Sequence, residues 1–486
     1  MGLLDAATWS GRLFIDGWVP GGAGDYAVQE PATGQEIARL GVASAGDVAK
    51  AAAKAAEAQR SWAATGYRER AAVLRRAGDL WLQHADEVHG WIVREAGSVP
   101  PKAGVESSFA ANACWEAAGL VSLPYGELLQ APEPRLSMAR RMPIGVIGVI
   151  SPFNFPLILS IRAVAPALAL GNAVILKPDP RTAVCGGVTL VRIFEEAGLP
   201  SGVLSLLPGG ADIGEALIAE PAVRMISFTG SSRAGRLVGA LAGRHLKRVH
   251  LELGGNNAMI VLDDADLDRA VSAGAWGSYL HQGQICMATG RHLVQRSIAE
   301  AYVAKLAEHA EHLPVGNPAT EQVALGPIID AKQRDHVHQI VTASLAAGAR
   351  LAAGGTYTDL FYRPTVLADV PTTAPAYVEE IFGPVAPVTA FDSLEDAARL
   401  AGDTPYGLSL SILTRDVMRG LALADRIPSG IVHVNDQTVM DDVVNPFGGI
   451  GDSGPGARLG GALANLEAFT DTQWVTIQGE IPAYPF

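Results

Sequence analysis

Three residues combine a reactive side chain with surroundings that could put it to work. Cys286 lies in Gly283-Gln-Ile-Cys-Met-Ala-Thr-Gly290, among small and apolar residues with no helical stripe. Alone, a cysteine is more often a buried small hydrophobe than a nucleophile, but its thiolate attacks carbonyl carbon strongly once a neighbour lowers the thiol pKa or takes its proton. Glu252, in His250-Leu-Glu-Leu-Gly-Gly255, is the candidate base, a carboxylate closing a β-rich run that ends in two glycines. A strand-end glutamate is commonly just salt-bridged or solvated; glycines directly after a strand, however, let the backbone approach a ligand closely. Asn154, in Ser151-Pro-Phe-Asn-Phe-Pro156, is bracketed by prolines. Its amide is either an Asx-turn former or a donor to an oxygen that turns negative as a carbonyl is attacked.

A second group suits a dinucleotide. Phe228-Thr-Gly-Ser-Ser-Arg-Ala-Gly235 turns from a strand end into a helix through glycine and hydroxyl residues, and the free N–H groups of a helix N-terminus favour a pyrophosphate. Lys177, in Leu176-Lys-Pro-Asp179, also ends a strand and could bond ribose hydroxyls. Gly449-x-Gly451-x-x-Gly454 matches a dinucleotide fingerprint in letters only: Pro455 follows and no β-α-β unit does, so a loop is expected. His336 and His338 are two apart in a helical context and share no face, so no metal site is expected there.

The elements that must position these residues are α/β. From Pro143 onward, short β-rich runs alternate with helical stretches: strands over 144–150, 173–176, 203–207 and 225–228, helices over 157–170, 182–196 and around 213–219. Such alternation predicts a parallel sheet with helices on its faces and a site at the strand ends. A second α/β region follows over about 254–452, opening with a strand at 258–261. Before them, Asp16-Gly17 marks a hairpin at 13–19, and Ser44 with Asp47 forms a capping box ahead of an Ala-rich helix. The stretch 472–477 reads as an edge strand with a partner in another subunit.

With 486 residues, two or more domains are expected. A net charge of −13 argues against nucleic acid as a partner. No apolar run approaches the roughly 20 residues of a membrane span, and the N-terminus lacks the basic start and apolar centre of a secretion signal. Three widely spaced cysteines suit a reducing compartment and offer no C-x-x-C pair. A cytoplasmic location is the expectation.

Over nearly its whole length the chain resembles the aldehyde dehydrogenase superfamily. The resemblance rests on separated motifs in family order: Pro152-Phe-Asn-Phe-Pro156, Leu176-Lys-Pro178, Phe228-Thr-Gly-Ser231, Leu251-Glu-Leu-Gly-Gly255, Gly283-Gln-Ile-Cys286, Glu380-Ile-Phe-Gly-Pro384 and Pro446-Phe-Gly-Gly449. It implies a Rossmann-like parallel-sheet cofactor domain (1–121 and 143–253), an α/β catalytic domain (254–452), and a small β oligomerisation element with the C-terminal tail (122–142 and 453–486). A homodimer or dimer-based tetramer is implied through that last element. Cys286 would attack the aldehyde carbon, the Asn154 amide and Cys286 N–H would hold the oxyanion, and hydride would pass to a nicotinamide. Glu252 would then activate the water that releases the acid.

The resemblance also assigns Lys177 and Glu380 to the two riboses and Gly230 and Ser231 to the pyrophosphate. Pro152, Phe153, Gly235, Leu253, Gly254 and Phe382 would line the dinucleotide groove. Metal is not required. Members preferring NAD often carry a glutamate three residues after the lysine; here Pro180 stands in that place, with Asp179 beside it, so NAD is expected with NADP possible. Ile450-Gly-Asp-Ser-Gly454 lacks the usual lysine, and with Asn435-Asp-Gln-Thr438 and the tail through Tyr484-Pro-Phe486 it is similar to the benzaldehyde dehydrogenase branch. Aromatic aldehydes are then the expected substrates, with Phe155, Ile285, Met287 and Phe447 lining the tunnel. Arg162, two helical turns after Asn154, is expected to be paired rather than to serve the site. A non-redox cysteine hydrolase or acyl transferase would leave Lys177, Gly230-Ser231 and Glu380-Ile-Phe382 without a use.

Overall fold

Unbroken apolar runs such as Val146–Ile150 and Ala173–Lys177 satisfy their side chains only when buried on both faces, and both strands are. The computed structural model, which describes residues 2–486, places them at the centre of a seven-stranded sheet. Its order is Arg248–Glu252, Val223–Thr229, Val146–Ile150, Ala173–Lys177, Leu204–Leu206, Arg12–Phe14 and Trp18–Pro20. The first five are parallel; the last two form the expected hairpin, added antiparallel at the edge. The parallel part begins at Val146–Ile150, runs outward one way, then returns to that strand's other side as Val223–Thr229. Crevices open at the carboxyl ends of strands where the order reverses in this manner. Ile150, Lys177, Thr229 and Glu252 all stand at those ends.

A second seven-stranded sheet runs Arg350–Ala353, Thr365–Ala368, Val385–Phe391, Thr289–Gln295, Asn257–Val261, Ser409–Leu413 and Ile431–Val434. All neighbours are parallel except the first pair. Glu252 closes a strand of the first sheet and Asn257 opens a strand of the second, so the Gly254-Gly255 segment bridges the two sheets. The fold is α/β with two Rossmann-like parallel sheets. Ser44 and Asp47 form the capping box of helix Ala45–Ala64.

Two sequence expectations are corrected. Thr470–Ile477 pairs antiparallel along its whole length with Leu136–Pro143 of the same chain, so its first partner is internal; Gly126–Leu128 adds the third strand. The helix expected over 182–196 is divided into a 3-10 turn, a π-helical turn Val184–Val188 and an α-helix Thr189–Glu196. The widening has a local cause: buried Glu95 accepts the N–H groups of Val184 (2.9 Å) and Cys185 (2.7 Å), and a Cβ on Gly187 would sit 2.6 Å from Leu206. Ahead of Thr470–Ile477, the chain forms helix Ala462–Phe469, whose Phe469 is wholly buried in the core of the first sheet.

Candidate active site

Cys286 is presented by a strained turn. His281, Gln282 and Gly283 all have positive φ (48°, 58° and 67°), a conformation costly for the first two. The turn ends helix Leu267–Tyr279 and aims the following residues at the crevice between the sheets. Cys286 is half-buried, whereas Cys114 and Cys185 are fully buried. It opens onto a cavity of about 710 Å³ that Phe155, Ile285 and Met287 also line. Phe447 does not line it. Its ring packs in the same apolar cluster as Ile285 and Met287, and the Arg162 guanidinium lies 4.5 Å from its centroid.

Burial pushes the Cys286 thiol up to about 12, and the nearby carboxylates of Glu380, Glu252 and Asp441 add to the rise while Arg162 opposes it. In this state the sulfur is protonated at neutral pH. Accessibility, rather than acidity, separates it from Cys114, whose thiol burial also holds at about 12.

The two glycines after Glu252 are required by close approach, with protein groups as the neighbours. A Cβ on Gly254 would sit 2.1 Å from a Glu380 carboxylate oxygen, and one on Gly255 would sit 2.7 Å from the Cys286 carbonyl. They bring the base strand, the cysteine loop and Glu380 together. Glu380 Oε1 accepts the Gly255 N–H at 3.0 Å, and burial raises its carboxyl to about 7. Glu252 is buried and its carboxyl is also raised by burial; His250 Nε2 lies 2.7 Å from Oε1, while Oε2 is buried without a hydrogen-bond partner.

Asn154 is buried, and its Nδ2 donates to the Gln284 carbonyl at 2.8 Å, two residues before the cysteine. An amide nitrogen carries two N–H groups, so one remains. Lys102, from helix Pro100–Leu120, donates to the Asn154 carbonyl at 2.8 Å and to Glu106 at 2.5 Å, and Glu106 in turn accepts the Leu157 and Ile158 N–H groups at 3.0 and 3.3 Å. The sequence reading missed this pair. Its signal was two opposite charges four residues apart, Lys102 and Glu106, in a helix whose one other charged residue is Glu116.

The dinucleotide candidates gather at the carboxyl edge of the first sheet. Lys177 is buried and carries no hydrogen bond or ion pair to protein among the described residues; burial depresses its pKa. Ser231 caps helix Ser232–Arg244, and the Gly230 N–H bonds the Glu252 carbonyl at 3.0 Å. Gly235 lies against Leu253, where a Cβ would come within 2.3 Å. Across the crevice Phe382, at φ 54°, meets Phe153 edge-on at 5.8 Å between centroids, next to Pro152. An unpartnered buried ammonium, a helix N-terminus and a half-buried carboxylate on one crevice fit the ribose hydroxyls and pyrophosphate of a dinucleotide.

Asp179 is not free to act beside Lys177. It accepts from Arg181 through both oxygens, at 2.9 and 2.8 Å, and Arg181 also bonds Asp330 at 2.6 Å. Arg162 is paired as expected, with Asp441, which lines the cavity. Gly449 to Gly454 forms a turn whose Ile450–Gly451 pairs with Tyr406–Gly407, with no β-α-β unit. His338 meets Tyr357 edge-on and lies 3.2 Å from the Tyr362 hydroxyl.

Residues 18–475 match the model of the aldehyde dehydrogenase family. Over 486 residues the chain is 66% identical to a vanillin dehydrogenase of Amycolatopsis, covering 100% of both. It is 50% identical to a benzaldehyde dehydrogenase [NAD(+)] of Pseudomonas putida over 98% of both chains. A salicylaldehyde dehydrogenase of Pseudomonas putida, solved with salicylaldehyde, superposes with a TM-score of 0.94 at 34% identity, covering 98% of this chain and 99% of that one. With a single accessible cysteine, a buried carboxylate and an asparagine amide converging beside a dinucleotide crevice, and with that match along almost its full length, the chain belongs to the aldehyde dehydrogenase family.

Proposed function

We propose that the protein oxidises an aromatic aldehyde, with a hydroxylated benzaldehyde as the favoured type, to the carboxylic acid. The observation that carries this is the cavity at Cys286: Phe155, Ile285, Met287 and Phe109 give it flat apolar wall, and Asp441, anchored by Arg162, gives it a carboxylate acceptor. The names of the vanillin, benzaldehyde and salicylaldehyde relatives support the same class.

In the proposed mechanism Cys286 gives up its thiol proton to water, Sγ bonds the carbonyl carbon as the carbonyl π bond opens, and the oxygen takes that electron pair. The free N–H of Asn154 and the backbone N–H of Cys286 face that oxygen. Lys177 and Glu380 would hold the ribose hydroxyls and Gly230 with Ser231 the pyrophosphate, with Pro152, Phe153, Gly235, Leu253, Gly254 and Phe382 as groove walls. The bound dinucleotide supplies the hydride acceptor that leaves a thioester on Cys286. Glu252 then takes a proton from water as the water oxygen bonds the thioester carbon, and the carbon–sulfur bond breaks to release the acid. NAD is the proposed acceptor, with NADP accepted because no free carboxylate stands at Pro180.

The first sheet with its helices (1–121 and 143–253) serves as the dinucleotide-binding unit and the second (254–452) as the catalytic unit. The three-stranded sheet assembles the dimer: Thr470–Ile477 has one unpaired edge, and Trp474, Ile477 and Leu128 are exposed on or beside it. Among the described residues no helix is long and apolar enough to cross a membrane. Three free cysteines fit a cytoplasmic enzyme. The deciding experiment ranks specificity constants for 4-hydroxy-3-methoxybenzaldehyde, benzaldehyde and hexanal with each dinucleotide. The hydroxylated ring should lead; hexanal in first place, or no reduced dinucleotide from any aldehyde, refutes the proposal.

A further inference from the structure

We propose that His250 is the positioning residue of the hydrolytic base: its imidazole engages Glu252 Oε1 and leaves Oε2 as the oxygen that deprotonates water. The proposal rests on the reading of Glu252 as that base.

The two residues are two apart on strand Arg248–Glu252, so their side chains share one face. Both are buried, at 2% and 3% exposure, and the 2.7 Å separation of His250 Nε2 from Glu252 Oε1 is the only side-chain hydrogen bond of Glu252 among the described residues. Gly448 closes the same oxygen from the other side, since a Cβ there would come within 3.0 Å of Oε1. Oε1 is therefore enclosed, while Oε2 is buried with no partner.

This asymmetry suits a general base. A carboxylate removed from water without a donor takes up a proton, and a protonated Glu252 cannot accept one from water. The other charged groups that bear on Glu252 are Arg162, on the helix after Asn154, and Arg458. Neither touches it: Arg162 is paired with Asp441, and Arg458 donates to the carbonyls of Gly449 and Ala457. The imidazole donates to Oε1 from Nε2 as its Nε2–H tautomer or as the cation. In the hydrolytic step the water oxygen bonds the thioester carbon, its proton goes to Oε2, and the carbon–sulfur bond breaks with Cys286 leaving as thiolate. No electrons are exchanged with any oxidant.

The test uses the whole enzyme and 4-nitrophenyl benzoate, which acylates Cys286 without a dinucleotide. Nitrophenolate released in the burst reports acylation, the steady phase reports hydrolysis of the acyl-enzyme, and mass spectrometry of quenched samples counts it. His250→Phe should keep the burst, slow the steady phase by about 10- to 100-fold, and move the rising limb of its pH profile upward. His250→Gln, which returns an N–H donor, should recover most of the rate and the limb; His250→Met is a second donor-free variant should the phenylalanine not fold. Wild-type steady rate and limb in the donor-free variants, beside acyl-enzyme accumulation in Glu252→Gln, overturn the role of His250 alone. Equal slowing in Phe, Met and Gln variants with no movement of the limb makes the imidazole a packing group and also overturns it. Normal hydrolysis in Glu252→Gln removes the base itself, and the inference with it.

Discussion

Lys102 Nζ reaches across from helix Pro100–Leu120 to the backbone carbonyl of Asn154, 2.8 Å away, and so ties the residue proposed as oxyanion donor to a buried ion pair. The same ammonium lies 4.3 Å from the Phe155 ring centroid, on the cavity wall. Lys102→Met removes both ties and leaves Glu106 without its cation, which costs about 3–5 kcal/mol where a buried pair is broken. A lower melting temperature is expected, with kcat down by about 100-fold through misplacement of the amide. Lys102→Met with Glu106→Gln should regain stability but not kcat. Recovery of both would mean that the pair only supports the fold.

The split between what was legible in the sequence and what was not follows chain distance. Cys286, Glu252, Asn154 and Lys177 announced themselves because each reactive or polar side chain stands in an apolar stretch with glycine or proline within three residues, a local pattern. The parallel sheet was legible for the same reason. The groups that hold them come from far away: Lys102 is 52 residues from Asn154, and Asp441 is 279 from Arg162. Tertiary packing alone decides such pairs. Phe447 illustrates the limit, since its motif gave its neighbourhood but not the arginine that packs on its ring.

The acidity of Cys286 gives a pH prediction. Burial and three carboxylates hold its thiol at about 12, so in the dinucleotide-free enzyme the thiolate fraction should grow roughly tenfold per pH unit without levelling off. Alkylation by iodoacetamide, followed by mass spectrometry from about pH 7 to about pH 10, should therefore climb throughout. Arg162→Met removes the cation that opposes the rise and should slow alkylation further at each pH. A plateau near neutrality would show a pre-formed thiolate.

On the proposed reading, Pro180 bears on the choice of dinucleotide. No carboxylate stands there to accept both adenosine ribose hydroxyls or to repel a 2'-phosphate, and Asp179 is occupied by Arg181. Pro180→Glu should raise the NAD over NADP ratio of specificity constants by about tenfold, mainly through loss of NADP. An unchanged ratio would place the discriminating contacts elsewhere on the crevice.

Asp441 should set the preference among aromatic rings. It lines the cavity, burial raises its carboxyl, and Arg162 opposes that rise while bonding one of its oxygens. An ionised carboxylate in an apolar wall is a strong acceptor for a phenolic hydroxyl, and a hydrogen bond to a charged group contributes about 1.5–3 kcal/mol. Asp441→Asn keeps the volume and loses the charge, so specificity for 4-hydroxybenzaldehyde should fall by about 10- to 100-fold while benzaldehyde changes little. Because Asn also leaves Arg162 as an unpaired buried cation, Asp441→Asn with Arg162→Met is the control: it should restore stability without restoring the hydroxyl preference. If the two substrates fall together in the single variant and recover together in the double one, the pair serves the fold, and the ring hydroxyl is read by another side chain of the cavity.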